Sequence, residues 1–109
     1  ANSSGSSLVA GALTIAPTAK NKYMSSKIRK ESQKLSKKVI QKFCHATGAK
    51  NRGVMYTDTM TGINWCTVPV TIVEMGFMSN ASEDRRMSTA SYQKKMVSGI
   101  ADGLDAYLK

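Results

Sequence analysis

The sequence lacks any long hydrophobic run and contains little proline. Its longest apolar stretches are only a handful of residues, as in Val68 to Val73, whereas a helix needs about 20 apolar residues to cross a bilayer. No membrane-spanning helix is therefore predicted. With 2 prolines, 8 glycines and 41% hydrophobic residues among 109, the chain is neither low-complexity nor disordered in composition. One modest core, and thus one domain over residues 1–109, is expected.

The chain also has few cysteines and a single histidine. Cys44 and Cys66 are too few for a disulfide framework and lack the CxxC spacing of zinc sites. They form either one disulfide or two small buried apolar groups. His45 follows Cys44 directly, and neighbours on a helix point about 100° apart, so the two do not easily coordinate the same metal ion. No metal ligand is assigned within this chain.

Acidic residues are scarce in the first half, which makes one segment strongly basic. Residues 20–52 hold eleven Lys and Arg against the single acid Glu31, so this segment has a formal charge of +10. The rest of the chain has a charge of −1, which gives the net charge of +9. Such a face attracts polyanions, which include nucleic acid, an anionic membrane surface and the phosphate-bearing polymers of a cell wall, although charge runs are often only solvated helix faces. Low aromatic content (6%) and the absence of aromatic interleaving argue against nucleic acid.

The apolar pattern predicts alternating strands and helices. Predicted strands span Leu8 to Ala16, Val54 to Thr57 (an edge strand) and Pro69 to Val73; predicted helices span Tyr23 to Ala46 (ending at Gly48), a short segment capped by Asn80, and Ala90 to Leu108. The β-branched run after Pro69 is predicted to be the central strand, covered on both faces. The order indicates an α/β fold with a central, mostly parallel or mixed sheet flanked by helices.

Glu74 is the ionisable residue that interrupts the apolar run of this strand, just before Gly76. Ligand sites of α/β sheets form at the carboxyl ends of strands, and a partly desolvated carboxylate there is suited to general acid or base chemistry. Position alone leaves a structural role open, in which Glu74 caps a turn or pairs with an arginine such as Arg52, Arg85 or Arg86.

Three stretches resemble a known family. They are PVTIVEMGFMSN (residues 69–80), NRGV (51–54) and SYQKKMVSGIADGLDAYL (91–108). Their order and spacing are similar to the carboxyl-terminal half of the catalytic domain of zinc-dependent N-acetylmuramoyl-L-alanine amidases of the Amidase_3 type. The resemblance implies an incomplete domain of that fold, without its amino-terminal strands.

The resemblance implies a secreted, cell-wall hydrolase acting on peptidoglycan. Such an enzyme cuts the amide between N-acetylmuramic acid and L-alanine, and in the family a zinc ion held by two histidines and a glutamate activates water. Zinc lowers the pKa of bound water to about 7, and Glu74, which matches a second family glutamate, would take the proton and deliver it to the leaving amine.

The resemblance also implies that the zinc ligands lie upstream of residue 1. Ala1-Asn2 matches the last two positions of a Ser-Ile-His-Ala-Asn type motif, which makes Asn2 a candidate for substrate binding. An alternative is that the Ser- and Gly-rich start is an appended linker. If the ligands are missing, the chain alone is expected to be inactive, and to associate with the other half of the domain or with itself.

A non-catalytic function is the alternative interpretation. In it, the chain is a basic module whose lysine-rich helix binds an anionic wall polymer or nucleic acid. Asn80, Phe77 and Met78 also suggest a substrate groove. Helix capping by Asn80 and packing of Phe77 under the turn are the better explanation of these residues. Trp65 and Met60, before the third strand, are assigned neither to a site nor to the core.

Overall fold

In the computed structural model, which describes residues 11–75 and 89–109, strands and helices alternate along the chain. The elements are β1 (Ala12–Ala16), α1 (Ser26–Thr47), β2 (Asn51–Tyr56), the short helix α2 (Thr61–Asn64), β3 (Ile72–Met75) and α3 (Ala90–Leu108). The predicted α/β class, with a mixed sheet flanked by helices, is confirmed. The predicted helix at Asn80 and the start of the first predicted strand lie outside the described residues. None of the described helices is long and apolar enough to span a membrane.

The sheet order corrects the predicted central strand. The three described strands are arranged β2-β1-β3, with β1 parallel to β2 and antiparallel to β3. β1 is therefore the middle strand, and its Ala12, Thr14 and Ala16 are fully buried. β3 also begins later than predicted, because α1 binds the preceding backbone: the Val70 N–H donates to Ser32 Oγ at 2.9 Å.

The Asn-Arg-Gly-Val stretch forms an irregularity that fits β2 to β1. Ala12 pairs with Asn51 and Thr14 with Val54, so β2 contains one residue more than β1 over this interval. Gly53 takes up the extra residue with φ of 84°, a conformation that costs other residues more than glycine. The Gly53 N–H donates to Asn51 Oδ1 at 2.8 Å. This stretch of the resemblance therefore has a structural function in β2.

Helix α1 begins three residues later than predicted because Ser25 caps it. The Ser25 side chain accepts a hydrogen bond from the Ile28 N–H, and the helix ends at Gly48 as predicted, where this residue adopts a left-handed cap conformation. One face is buried against the sheet and α3. Its buried residues are Ser32, Leu35, Ser36, Val39, Ile40, Phe43, Cys44 and Thr47. The sequence spacing predicts an apolar stripe of Met24, Ile28, Leu35, Val39, Ile40, Phe43 and Cys44. Within α1 this stripe is confirmed from Leu35 onward.

Helix α3 lies on α1 through small residues and through part of the apolar face that the sequence spacing predicts. That predicted face consists of Tyr92, Met96, Ile100, Leu104 and Tyr107 or Leu108. Tyr92 is buried with Gly99 and Gly103 and Met96 packs against the core, whereas Ile100 and Leu104 are 36% and 43% exposed. A Cβ on Gly103 would lie 2.6 Å from Val39 Cα. The two helices therefore approach so closely that glycine is required at the contact.

Different residues pack on the two faces of the sheet. Ala12 packs with Ile40, Phe43 and Cys44 of α1, and Thr14 Oγ1 donates to the Ser36 carbonyl at 2.9 Å. Ile15, the next residue after Thr14, packs instead with Met24 and Ile63. Because side chains alternate along a strand, β1 presents even-numbered residues to α1 and odd-numbered residues to the opposite face.

Candidate functional site

Glu74 lies on the sheet face that α1 does not cover. It pairs with Leu13 in the antiparallel register, and directly paired residues share a face. Val73 and Met75, its neighbours, pack on the α1 side instead. The Glu74 side chain is exposed, so the predicted partial burial of this carboxylate is wrong for the described part of the chain, because no described element covers this part of the sheet.

The register places Glu74 at one end of the sheet, where β1 and β2 begin and β3 ends; the two ends of the strands are called the edges of the sheet. β3 runs antiparallel to β1, so its last residues, Glu74 and Met75, pair with Leu13 and Ala12 near the start of β1. The first strand residue of β2, Asn51, pairs with Ala12 at the same edge. Asn2, the other predicted site residue, lies outside the described residues, as do Phe77, Met78, Asn80, Arg85 and Arg86.

The neighbours of Glu74 on this face are apolar. Leu13, its partner on β1, and Ile72, two residues before it on β3, are both half-buried. A carboxylate on a strand is held firmly at its backbone, as proton transfer requires. An exposed carboxylate among apolar side chains can accept a proton from water and release it to an amine.

The described residues do not form a metal centre. Within residues 11–75 and 89–109 no three His, Cys, Asp or Glu side chains cluster in a way that would hold an ion. His45 is exposed near the end of α1 and lines a cavity with Lys42, Asp102 and Asp105. The predicted zinc ion therefore has no ligand set in this part of the chain, and its presence stays a prediction.

The two cysteines are both free thiols. Cys44 is buried between α1 and the sheet, and this burial raises the pKa of its thiol. Of the two alternatives that the sequence leaves open, the structure therefore favours small apolar packing over a disulfide.

The basic segment places four lysines on the solvent side of α1. Lys27, Lys30, Lys34 and Lys37 are exposed and recur at intervals of three or four residues, which puts them on one helix face. We call these four residues the lysine face. Arg29 differs from them, because its guanidinium donates to the backbone carbonyls of Asn21 and Met24 at 2.7 and 2.8 Å. Part of the positive charge is therefore structural.

A second polar site, which sequence reasoning missed, lies at the opposite edge of the sheet. Asp58 Oδ1 accepts hydrogen bonds from the Thr18 N–H at 2.9 Å and from Asn21 Nδ2 at 2.8 Å, and Thr18 Oγ1 donates to Oδ2 at 2.5 Å. Partial burial raises the pKa of Asp58, but the hydrogen bonds from Thr18 and Asn21 and the charge of Arg29 outweigh it and hold that pKa below its ordinary value.

Comparison with known proteins identifies the family. The family described as Amidase_3, N-acetylmuramoyl-L-alanine amidase, matches residues 1–106. The N-acetylmuramoyl-L-alanine amidase LytC of Bacillus subtilis (strain 168) is 30% identical over 78 residues, which are 72% of this chain and 16% of LytC.

Solved structures of amidases share the fold. The CwlD amidase of Clostridioides difficile, solved in complex with the GerS lipoprotein, superposes with a TM-score of 0.75 and 27% identity, over 90% of this chain and 46% of CwlD. The catalytic domain of CwlV, an amidase of Bacillus (Paenibacillus) polymyxa var. colistinus, gives a TM-score of 0.74 and 29% identity, over 95% of this chain and 51% of that domain. The chain thus spans about half of these solved chains and a smaller part of LytC. It belongs to the Amidase_3 family of N-acetylmuramoyl-L-alanine amidases.

Proposed function

We propose that this chain is part of a peptidoglycan hydrolase that cleaves the amide between N-acetylmuramic acid and L-alanine, with Glu74 as the catalytic carboxylate. The observation that carries the proposal is the position of Glu74, which is exposed on β3 on the sheet face opposite α1 within the segment matched by the family. The sequence around it, Val-Glu-Met-Gly-Phe, carries the resemblance to the family glutamate.

The chemistry assigned to Glu74 is proton transfer. Its carboxylate accepts a proton from a water molecule as that water attacks the scissile carbonyl carbon. The same proton then passes to the nitrogen of L-alanine as the carbon–nitrogen bond breaks, so the products are a free lactyl carboxyl group and a free amine. Proton transfer by a positioned side chain contributes roughly 10²–10⁴ to the rate.

Zinc chemistry is proposed from the family resemblance alone. The described residues offer no ligand set for the ion, so its ligands would lie outside them. Action at the cell wall, outside the cell, follows from the proposed substrate. Asn2, as a substrate-binding residue, and association with the remaining half of the domain or with a second copy stay proposals of the same kind.

The lysine face supports a second candidate function. Four exposed lysines on one face of α1 would attract an anionic wall polymer without any catalytic group. In this alternative the chain anchors a partner to the wall, and Glu74 is dispensable. The two functions are compatible in one protein, but they depend on different residues.

The test is product analysis after incubation with purified peptidoglycan. The 109-residue chain is assayed alone and joined to the part of the CwlV catalytic domain that it does not cover, each with zinc and with a chelator. Mass spectrometry of the soluble fraction should show peptides with a free L-alanine amino group from the completed domain only, and none with the chelator present.

Glu74→Gln in the completed domain should abolish this release while binding to the wall persists. Asp102→Asn, which changes an exposed carboxylate on α3, is the matched control and should release peptides normally. Release that survives Glu74→Gln would overturn the catalytic assignment. Loss of wall binding on replacing the lysine face, with release unaffected in solution, would support the anchoring function beside it.

A further inference from the structure

Two loops meet at the carboxyl ends of the parallel strands, at the edge opposite Glu74. One loop follows β1 and contains Thr18 and Asn21; the other follows β2 and contains Asp58. The Thr57 N–H donates to the Ala16 carbonyl at 2.9 Å where the two strands end. Carboxyl ends of neighbouring parallel strands are the usual place for a ligand in α/β folds. At about 3.3 Å per residue, this edge lies roughly 10 Å along β1 from the residue that faces Glu74.

A buried asparagine pair fixes the geometry of both loops. Asn21, 1% exposed, donates through Nδ2 to Asn64 Oδ1 at 2.7 Å, and Asn64 donates to the Asp58 carbonyl at 2.8 Å. The Asn21 Oδ1 atom accepts from the Tyr23 N–H at 2.9 Å. Tyr23 donates its own N–H to this network and Trp65 directly follows Asn64, so one hydrogen-bond network positions the backbone of both aromatic residues.

The network positions two aromatic side chains that face solvent. Trp65, the one tryptophan of the chain, is 73% exposed and Tyr23 is 52% exposed, although tryptophan is highly buried on average. Their ring centroids lie 5.8 Å apart with planes inclined at 44°, and Lys22 Nζ lies 5.7 Å from the Tyr23 centroid. Preorganised exposed aromatic rings are typical of binding sites.

The aromatic pair forms one wall of a cavity that has a polar rim. The cavity measures about 270 Å³ and is lined by Tyr23, Asp58, Thr59, Thr61, Asn64 and Trp65. Ligand pockets begin near ~300 Å³, so the space suits one ring-sized unit. A carboxylate has about four acceptor positions, and three of those of Asp58 are occupied by Thr18 and Asn21. One acceptor position therefore remains for a ligand donor.

We propose that this cavity binds one N-acetylhexosamine ring of a glycan strand, at a site separate from the reacting carboxylate. The apolar face of the pyranose stacks on Trp65 and Tyr23, while its hydroxyl and amide donors reach Asp58 and the threonine hydroxyls. The carboxylate repels phosphate, so the cavity disfavours nucleic acid and phosphate polymers. The identity of the glycan as peptidoglycan rests on the proposed function; the sugar chemistry of the cavity does not.

Trp65 reports on the site directly, because it supplies all the tryptophan fluorescence of the chain. The 109-residue protein is titrated with tri-N-acetylchitotriose, a soluble oligomer of N-acetylglucosamine. A saturable change in Trp65 emission is expected. Tyr23→Ala should raise the apparent Kd roughly 5- to 150-fold, since stacking on one aromatic ring is worth about 1–3 kcal/mol in the analogous case of nucleic-acid bases. Tyr56→Ala, an exposed tyrosine on β2 outside the cavity, is the matched control and should bind normally.

The controls separate this proposal from the hydrolase proposal. Glu74→Gln should titrate like the unaltered 109-residue chain. A sugar titration that succeeds while the unaltered, completed domain releases no peptides supports this site and counts against the hydrolase proposal alone. The proposal is overturned if the trisaccharide leaves the emission and the amide NMR resonances of the Asp58–Trp65 loop unchanged. It is equally overturned if Tyr23→Ala and Tyr56→Ala bind alike, or if a single-stranded oligonucleotide displaces the sugar.

Discussion

Two carboxylates at opposite edges of the sheet show how differently this fold treats an acidic residue. Asp58 accepts three hydrogen bonds from two residues of the loop after β1, so it holds loops together. Glu74 extends from β3 into solvent on the face opposite α1, where Met24 and Ile63 pack on Ile15. Among the described residues, the carboxylate exposed for chemistry is therefore separate from the one whose hydrogen bonds organise a neighbouring surface.

The largest expected effect separates the two carboxylates by function. In a completed domain, Glu74→Gln should lower peptide release roughly 10²–10⁴-fold, because an amide cannot transfer the proton, while the urea midpoint of unfolding changes little. Asp58→Asn should have the opposite profile, with release within a few fold and a clear loss of stability. Product mass spectrometry and urea unfolding measure both. Equal loss of release in the two variants would erase the distinction.

The next effect tests whether the Asp58 edge depends on its buried asparagine. Asn21→Ala removes two donated and two accepted hydrogen bonds and leaves buried groups unpaired, at about 1–3 kcal/mol each before relaxation. We expect the free energy of unfolding to fall by roughly 2–4 kcal/mol. Asn51→Ala, at an exposed position on β2, should cost less than about 1 kcal/mol. Comparable losses in the two variants would show that the network contributes no more than a surface contact.

A third change tests the close contact between α1 and α3. Gly103→Ala would place a Cβ 2.6 Å from Val39 Cα, so α3 must move away from α1, at a cost of about 1–3 kcal/mol. Gly62→Ala, where an added Cβ meets nothing within 4 Å, is the control and should be nearly neutral. Urea unfolding followed by far-UV circular dichroism measures both. If Gly103→Ala were neutral as well, the close helix contact would be wrong.

Local patterns in the sequence predicted the helices well and the sheet less well. The spacing of Leu35, Val39, Phe43 and the position of Gly48 define most of α1 because helical contacts are local. The strand order depends on pairing between distant segments, so the β-branched run after Pro69 indicated a strand but not its place beside β1. For α3, the pattern correctly indicated Tyr92 and Met96 but also Ile100 and Leu104, which are exposed, because Gly99 and Gly103 allow the backbones to approach.

The residues of the candidate sites likewise differ in whether a local sequence pattern could identify them. Glu74 was identified because it interrupts an apolar run and lies in a stretch that resembles a family, and both signals are local. The Asp58 network joins Asn21 to Asn64, which are 43 residues apart, and no short pattern links them. The only signal available was a solitary tryptophan preceded by a polar turn, and the sequence assigned that tryptophan to neither core nor site.

The smallest effect expected is the pH dependence that Asp58 contributes. Its pKa is lower in the folded chain than its ordinary value, near 3.9 in an unfolded chain, so folding favours the ionised form. Its contribution to stability is therefore complete above about pH 5 and is lost as the pH falls through 4 toward the folded pKa. Urea midpoints measured from pH 7 to pH 2.5 should fall less steeply for Asp58→Asn than for the unaltered chain. Asp102→Asn should keep the original slope. Parallel curves for Asp58→Asn and the unaltered chain would mean that the hydrogen bonds from Thr18 and Asn21 do not depend on the charge of Asp58, and the network would then order the loops through geometry alone.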